Sequence, residues 1–452
     1  MKGKKIIAVC VAMLLFPSFS WATEVFSLER SIEYGLAHSP VLEGGKIQID
    51  QAGMDIKAER GRFFPSVTTS YSHNEIFSEY VSGYNDPDYL DQKNNTAALR
   101  INQALFAGFE NKNRFDRAKL SKEYQQAQLA IQKLDLAYQI KAVFFELLKT
   151  RYDLSTITQR IKRLESDLQV ARAFSNNRIA PYVYVLQAEA DLEGAKQMLW
   201  QTQTAVYKHS ARLKSLLGIT RSRDLVEFND DFEVPLEELG KDLDYCMDKA
   251  LLTRPEIVLL NLQSSMARKD ANIVKSRYYP KVNLDVSLFD VDKSYEVLKN
   301  NDTHYAYWSA GVSVQINLFD GGTAHYNKRK YLLELNRLKT EKDRLKMEIE
   351  EEVGVAFHSF QEAQKRLVSV EKALIASQES YTRQKKRFNA SIGTISQVLD
   401  AQAMLVRSES IKSQTMLDCQ MFLAQLSHAM GMEQIFFEPD TPPGQIKPKL
   451  NQ

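Results

Sequence analysis

Long apolar runs, cysteines and enzyme motifs are all scarce in this chain of 452 residues. After residue 22 no apolar run reaches the ~18 residues that a membrane-spanning helix needs, so no such helix is predicted there. Three cysteines do not make a disulfide framework, and Cys246 and Cys419 are interpreted as ordinary helix residues. No Walker A loop, GxSxG or HExxH motif occurs, and the seven histidines are scattered. The sequence therefore predicts no enzyme, no catalytic residue, no cofactor and no metal site.

The N-terminus has the three parts of a secretory signal peptide at 1–22. MKGKK is basic, IIAVCVAMLLF is apolar, and Ser20-Trp21-Ala22 is a small–x–small cleavage site. An uncleaved anchor is the disfavoured alternative, because the apolar run is too short to span a bilayer. Removing the three lysines of this segment leaves 56 basic and 57 acidic residues, a balance that indicates no nucleic-acid partner.

The chain repeats itself. ALFAGFENKN begins at Ala104, and NLFDGGTAHYN begins at Asn317, with Leu105 and Leu318 in register at an offset of 213 residues. A period of this size indicates two tandem copies of a whole structural half rather than a solenoid. The predicted domains are given in chain order. They are a signal peptide at 1–22, a first repeat at 23–232, a second repeat at 233–437, and a C-terminal tail in an equatorial region at 438–452.

Each copy contains two segments with alternating apolar and polar residues, which predicts strands. These strands are expected at about 64–77, 95–106, 280–290 and 305–319. Each is about as long as a tilted membrane-spanning strand, whereas the polar, tyrosine-rich links between paired strands suit loops outside a membrane. The alternative is a pair of hairpins packed on a soluble core.

Long stretches without proline follow each strand pair. Helices are predicted at 110–173, 181–217, 323–387 and 395–430. Their apolar residues recur at alternating spacings of three and four, as in a coiled coil. A helix over 110–173 would be roughly 96 Å long at 1.5 Å per residue. Polar breaks at 174–182 and 388–396 predict that each copy forms a helical hairpin.

Four strands cannot close a barrel, and open sheet edges are not tolerated in lipid. Several chains must therefore share one barrel, with a strand count that is a multiple of four. The helical hairpins would then continue as a tube. The arrangement predicts an oligomeric duct through an outer membrane and periplasm.

The sequence resembles the TolC family of outer-membrane efflux proteins. The resemblance covers nearly the whole mature chain and rests on the tandem halves, the Phe-Pro-x-Val strand opening, LFDGG at 318–322, and FNASIGTISQVLDAQ at 388–402. It implies a mixed α+β membrane protein, a homotrimer whose chains each give four transmembrane strands to a shared 12-stranded β-barrel. Coiled-coil hairpins form a periplasmic α-barrel, and an equatorial collar is expected at 219–241 and 432–452.

The resemblance also implies a function and partners. Such a protein is the outer-membrane exit duct of a tripartite efflux or type I secretion system, in contact with outer-membrane lipid. It passively conducts substrates delivered by a periplasmic adaptor (a membrane fusion protein) and an inner-membrane transporter of the RND, ABC or MFS type. The alternative is a soluble periplasmic coiled-coil adaptor or scaffold, although such proteins usually carry a single hairpin.

Functional residues are expected where the hairpins turn. By resemblance, Asp400 matches an acid that forms a carboxylate ring in the entrance, whereas Gln397 and Tyr184 stand where further acids are common. Phe388 replaces a tyrosine that often latches the closed state. These four residues are the predicted pore constriction. The predicted adaptor-contacting tips are Asn176, Asn177, Arg178, Ser391 and Gly393.

Overall fold

The computed structural model describes residues 25–81, 87–179, 181–219, 227–228, 242–295, 303–390 and 392–432. The predicted signal peptide at 1–22 and the C-terminal tail at 438–452 lie outside these residues. Most of the predicted collar segment at 219–241 also lies outside them.

The described chain consists of long helices, a four-stranded antiparallel sheet and a parallel pair of two-residue strands, Val25–Phe26 with Glu227–Phe228. Its elements in chain order are β1 (Val25–Phe26), α1 (Leu28–His38), α2 (Pro40–Gly61), β2 (Ser66–Val81), β3 (Pro87–Ala107), α3 (Glu110–Asn176), α4 (Val183–Leu216), β4 (Glu227–Phe228), α5 (Leu243–Thr253), α6 (Pro255–Lys275), β5 (Lys281–Tyr295), β6 (Thr303–Gln315), α7 (Thr323–Asn389) and α8 (Ile395–Ala429). A single 3₁₀ turn, Ser276–Tyr278, separates α6 from β5.

Contacts divide the chain into two compact units. The first, called the hairpin unit, contains Met1–Pro40, Lys133–Cys246 and Val353–Gln452. The second, called the sheet unit, contains Val41–Gln132 and Met247–Glu352.

The sheet unit holds one antiparallel sheet in the order β2-β3-β5-β6. The central pair joins the two sequence copies, because β3 of the first copy pairs with β5 of the second, with Leu99 opposite Leu288. Across the last ladder Leu288 lies opposite Trp308. Since side chains alternate between faces, one face carries these apolar residues and the other carries polar ones. Strands β2 and β6 are the edges of this four-stranded sheet.

The strands extend farther from the helices than the sequence predicts. The link after the first strand is expected to be a loop, but β2 continues to Val81 and β3 already begins at Pro87. Likewise β5 reaches Tyr295 and β6 begins at Thr303. The loop prediction was wrong here because the ladder of backbone hydrogen bonds continues beyond the segments in which apolar and polar residues alternate regularly.

The repeated phrase forms the same turn twice. Gly108 and Phe109 have φ angles of 63° and 67°, and Gly321 and Gly322 have angles of 68° and 81°. The left-handed region suits glycine, whereas a residue with a Cβ is strained there. In the first copy the backbone of Phe109 is in this strained conformation. Its ring packs edge-on against Tyr279, with ring centroids 5.9 Å apart. The turn redirects the chain from a strand into a long helix.

The start of α3 is fixed by an ionic contact with the sheet. Lys281 Nζ donates to Glu110 Oε2 at 3.1 Å, and Arg114 bonds the other carboxylate oxygen at 2.9 Å. Partial burial disfavours the charged carboxylate, but the hydrogen bonds from Lys281 and Arg114 outweigh it. They hold the pKa of Glu110 below its usual range.

The hairpin unit contains two antiparallel helical pairs with small apolar cores. In the first pair, Leu168 on α3 packs with Val185 and Leu192 on α4. In the second, Leu367 on α7 packs with Cys419 on α8. The periodic apolar residues of the sequence thus form the contact seams of the helices. Across the described ranges, no helix combines the length and the apolarity needed to cross a membrane.

Candidate functional site at the hairpin ends

Helix α3 ends in a turn that satisfies its last carbonyl groups. The Arg178 N–H donates to Ser175 O at 3.0 Å, and the Ile179 N–H donates to Phe174 O at 2.9 Å. This pair of bonds is the Schellman arrangement, which requires its central residue to be left-handed. Arg178 fills that position with a φ of 59°.

Arginine is an unusual choice for this position. The same bond pair ends α4 at Gly218, with a φ of 77°, and ends α8 at Gly431, with a φ of 70°. A side chain in the left-handed region costs about 1 kcal/mol relative to glycine. Since Arg178 is exposed, packing within the hairpin unit does not explain its presence. A strained residue that packing does not explain is an outlier from which a functional role can be proposed.

The two asparagines of the first turn are also exposed. Asn176 is the last residue of α3, and Asn177 follows it. The Asn177 side chain donates from Nδ2 to Ala173 O at 2.8 Å, so it caps the helix. Of the two predicted tip asparagines, Asn177 therefore has a structural role of its own.

The second turn is closed by a reciprocal cap at the start of α8. The Gln397 N–H donates to Thr394 Oγ1 at 3.4 Å, and the Thr394 N–H donates to Gln397 Oε1 at 3.2 Å. This is a capping box. Gln397, predicted as a pore residue, thus directs its amide oxygen at the backbone of its own turn.

Gly393 lies inside the same turn. Its N–H and that of Ile392 both donate to Arg387 O, at 3.2 and 2.9 Å. A Cβ on Gly393 would approach Gln397 Oε1 to 3.3 Å, which is tighter than ordinary packing. The glycine therefore leaves room for the capping side chain. Ser391, predicted as an adaptor contact, lies outside the described residues.

Two aromatic residues of the predicted constriction flank the turns. Tyr184 is the second residue of α4 and is 56% exposed, and Phe388 is the penultimate residue of α7 and is 41% exposed. Both side chains are therefore accessible from outside the hairpin unit.

Asp400 lies on α8 beside a groove between α3 and α8. The groove has a volume of about 570 Å³. Its charged lining consists of Arg160, Arg163 and Asp167 from α3 and Asp400 and Arg407 from α8. Three cations thus line the same groove as two carboxylates, one of which is Asp400. The resemblance alone did not predict these cations.

Farther along, polar side-chain contacts join α3 directly to α8. The Asp418 carboxylate on α8 accepts from Lys149 on α3 at 2.9 Å and from Arg366 on α7 at 2.8 Å. Asp135 and His428 pair at 2.8 Å, and the Tyr138 ring stacks on His428. We call these contacts the polar seam.

Sequence reasoning missed the polar seam. The available signal was a single acid, Asp418, inside the otherwise uncharged segment TMLDCQMFLAQL at 415–426. A charged residue in such a segment needs a partner, because its desolvation is costly. Its partners lie 269 and 52 residues away, and periodicity cannot identify them. Within the described ranges no group of three His, Cys, Asp or Glu side chains is placed to hold a metal ion.

A family comparison identifies the class of protein. The family model for outer membrane efflux protein matches the chain twice, over residues 32–219 and 246–432. The chain therefore belongs to the outer membrane efflux protein family. It is an outer-membrane efflux channel protein that extends into the periplasm, and the soluble adaptor or scaffold alternative is not supported. No curated protein matches the chain.

Solved channel structures share the fold at low sequence identity. The outer-membrane channel OprN is 17% identical with a TM-score of 0.71, covering 89% of both chains. CmeC of Campylobacter jejuni is 13% identical with a TM-score of 0.74, covering 91% of this chain and 87% of its own. The open state of MtrE from Neisseria gonorrhoeae is 18% identical with a TM-score of 0.68, covering 90% of this chain and 89% of its own. These relatives are channels rather than enzymes.

Proposed function

We propose that three copies of this chain form one exit duct, with twelve strands in a shared barrel and the hairpin ends at the periplasmic entrance. The observation that supports it is the sheet order β2-β3-β5-β6, which leaves β2 and β6 with one unpaired side each. In lipid, unpaired backbone groups cost several kcal/mol each. Pairing β6 of one copy with β2 of the next satisfies them and closes the sheet.

The lipid-facing surface follows from the register. The face with Leu284, Leu288, Trp308 and Val312 is apolar, and it meets the hydrocarbon. The opposite face, with Ser287 opposite Ser309 and Asp285 opposite Gly311, lines the lumen. This division supports a water-filled interior that conducts substrates passively.

The decisive experiment measures the mass of the protein extracted from outer membranes in detergent, corrected for bound detergent. The proposal expects three times the mass of one mature chain. A monomeric mass would overturn the shared barrel, because a single four-stranded sheet cannot close.

At the entrance, Asp400 is proposed as one carboxylate ring whose field the groove arginines moderate. Asp400→Asn is expected to weaken block of single-channel current by multivalent cations several-fold, since the ring loses three charges in the trimer. The matched control is Asp191→Asn, an exposed aspartate on α4. Unchanged cation block in Asp400→Asn would exclude the ring.

The proposed partners are the proteins that would meet the hairpin ends at the periplasmic entrance. A periplasmic adaptor is proposed to contact the exposed turn residues Asn176 and Arg178 and the half-buried Gly393, and to connect the duct to an inner-membrane transporter of the RND, ABC or MFS type. The strained, exposed Arg178 supports the first turn as a contact point. A purified adaptor that binds the unmodified protein should bind Arg178→Gly more weakly.

A further inference from the structure

The polar face of the sheet carries an unexpected row of aromatic rings. Phe289 on β5 stacks on Tyr307 on β6, with centroids 4.9 Å apart and planes 16° apart. Tyr307 is followed on the same face by Tyr305, 6.0 Å away and nearly parallel. We call Phe289, Tyr307 and Tyr305 the aromatic row.

A cation lies at each end of the aromatic row. The Arg100 guanidinium lies 5.4 Å from the Phe289 ring centroid, and Lys293 Nζ lies 5.9 Å from the Tyr305 centroid. Both distances suit a cation–π contact. Arg100 also donates to Ser70 Oγ at 3.3 Å, which leaves further guanidinium N–H groups available to another acceptor.

The register places this cluster in the lumen of the proposed duct. Arg100 lies opposite Ser287 and Ala98 lies opposite Phe289, so the cluster shares the face of the serines and not that of Leu288 and Trp308. The inference therefore rests on the proposed function, which makes this face the lumen.

Stacked cross-strand rings also stabilise a sheet without any ligand. Two observations go beyond that role. The rings occupy the water-facing side, where Tyr305 and Tyr307 are 42% and 47% exposed. In addition, the nearby acid on this face, Asp285, already accepts bonds from Asn102 and Ser313. Among the described side chains neither Arg100 nor Lys293 pairs with an acid, so both cations can bind an anion.

We propose that the aromatic row is a cargo-binding site for planar aromatic anions, such as aromatic carboxylates. A planar ring stacks on Tyr305 or Tyr307, and its carboxylate pairs with Arg100 or Lys293. An aliphatic anion gains only the ion pair, and an aromatic cation is repelled by both basic side chains. The site thus favours molecules that combine a planar aromatic ring with a negative charge.

The test titrates 2-naphthoate fluorescence against the detergent-purified protein, with protein-free micelles as the blank. Benzoate, cyclohexanecarboxylate and benzylammonium, which are similar in size and lack the naphthalene fluorescence, serve as competitors. The unmodified protein is expected to bind naphthoate, and cyclohexanecarboxylate and benzylammonium should each displace it at least about five times less effectively than benzoate does.

Two variants probe the two parts of the site. Tyr307→Leu removes a stacking ring, and Arg100→Gln removes a cation and leaves the rings in place. Each should weaken naphthoate binding about fivefold or more. The matched control is Trp308→Leu, which removes the adjacent ring on the opposite face, 73% exposed, and should leave binding unchanged.

The outcomes separate the two proposals. If the mass is trimeric but Trp308→Leu and Tyr307→Leu lose naphthoate binding equally, the aromatic-anion site alone is overturned. The same holds if the mass is trimeric and Arg100→Gln retains full naphthoate binding. A monomeric mass overturns the duct, and the site with it. If Tyr307→Leu does not assemble, Arg100→Gln and Lys293→Gln decide the matter, because both retain the stacked rings.

Discussion

The Asp418 carboxylate accepts a hydrogen bond from Lys149 Nζ at 2.9 Å and thereby ties α8 to α3. The same carboxylate accepts from Arg366 on α7 at 2.8 Å. Asp418 is only 18% exposed, so its two cations compensate a partly desolvated charge. One side chain thus connects three helices of the hairpin unit.

Asp418→Asn should lower the free energy of unfolding by about 1–3 kcal/mol, because a charged acceptor is lost between two cations. Urea denaturation, with hydrogen exchange of 145–153 and 414–420, measures the effect. The control is Glu379→Gln, whose pair with Arg383 is exposed on both sides. That variant should change stability by less than about 0.5 kcal/mol. Equal effects in the two variants would contradict a special role for Asp418.

The two strand-to-helix turns should respond differently to the same substitution. Gly108→Ala and Gly321→Ala both place a Cβ in the left-handed region. Only the first meets an obstacle, since a Cβ at Gly108 would lie 2.6 Å from Ser276 O. Gly108→Ala is therefore expected to reduce assembled protein severalfold more than Gly321→Ala does. Quantifying trimer in outer membranes checks this, and equal yields would contradict the role of the contact.

Arg178→Gly should stabilise the end of α3 by about 1 kcal/mol, because glycine adopts a positive φ without strain. Slower hydrogen exchange at Ile179 measures the gain. Gly218→Ala is the opposite control, since its Cβ would lie 2.9 Å from His38 O and should destabilise α4. A stabilised Arg178→Gly that binds adaptor weakly shows that the arginine serves binding. Faster exchange would show that it serves the fold.

Gln397→Glu tests whether the capping residue can also act in the pore. Glutamate retains the capping box, so the start of α8 should keep its stability while three carboxylates join the entrance of the trimer. Cation block of single-channel current should increase. Gln397→Ala, which lacks both the cap and the charge, should destabilise the turn by about 1 kcal/mol without that increase. Unchanged block in Gln397→Glu would place residue 397 away from the ion path.

Cys419 should be almost unreactive in the folded protein. Burial raises the pKa of its thiol to about 11, from an ordinary value of 9.0. At pH 8 its thiolate fraction, and hence its labelling rate, should be about 100-fold below that of an unfolded thiol. Because the folded state retains its proton longer, the free energy of unfolding should fall as the pH rises from about 9 to 11.

Labelling in a Cys246→Ala background, with and without urea, measures the reactivity of Cys419 alone. Similar rates at pH 8 in the folded and unfolded protein would show that the thiol is accessible.

The helical hairpins could be predicted from sequence because heptad spacing reports directly on burial. The predicted helix at 110–173 is observed as Glu110–Asn176, and that at 395–430 as Ile395–Ala429. The strand ends could not be predicted, since the ladder of backbone hydrogen bonds continues beyond the segments of regular apolar and polar alternation.

Individual side-chain roles were harder to predict from sequence. The left-handed conformation of Arg178 could not be predicted, because glycine is the usual residue at such a turn. The capping role of Gln397 follows from Thr394 three residues earlier, a pattern that was available and was not used. Arg160 and Arg163, which line the groove beside Asp400, come from another helix, more than 200 residues away in sequence, and only the fold brings them together with Asp400.

The pairing of β3 with β5, reinforced by Phe109 against Tyr279, has an evolutionary consequence. A gene duplication would at first have produced two equivalent halves. In this chain each half supplies an inner strand that the other must cover, and the first half tolerates a strained phenylalanine that contacts an aromatic ring of the second. Removing either half would leave an inner strand of the other unpaired, so neither half expressed alone is expected to fold as it does in this chain.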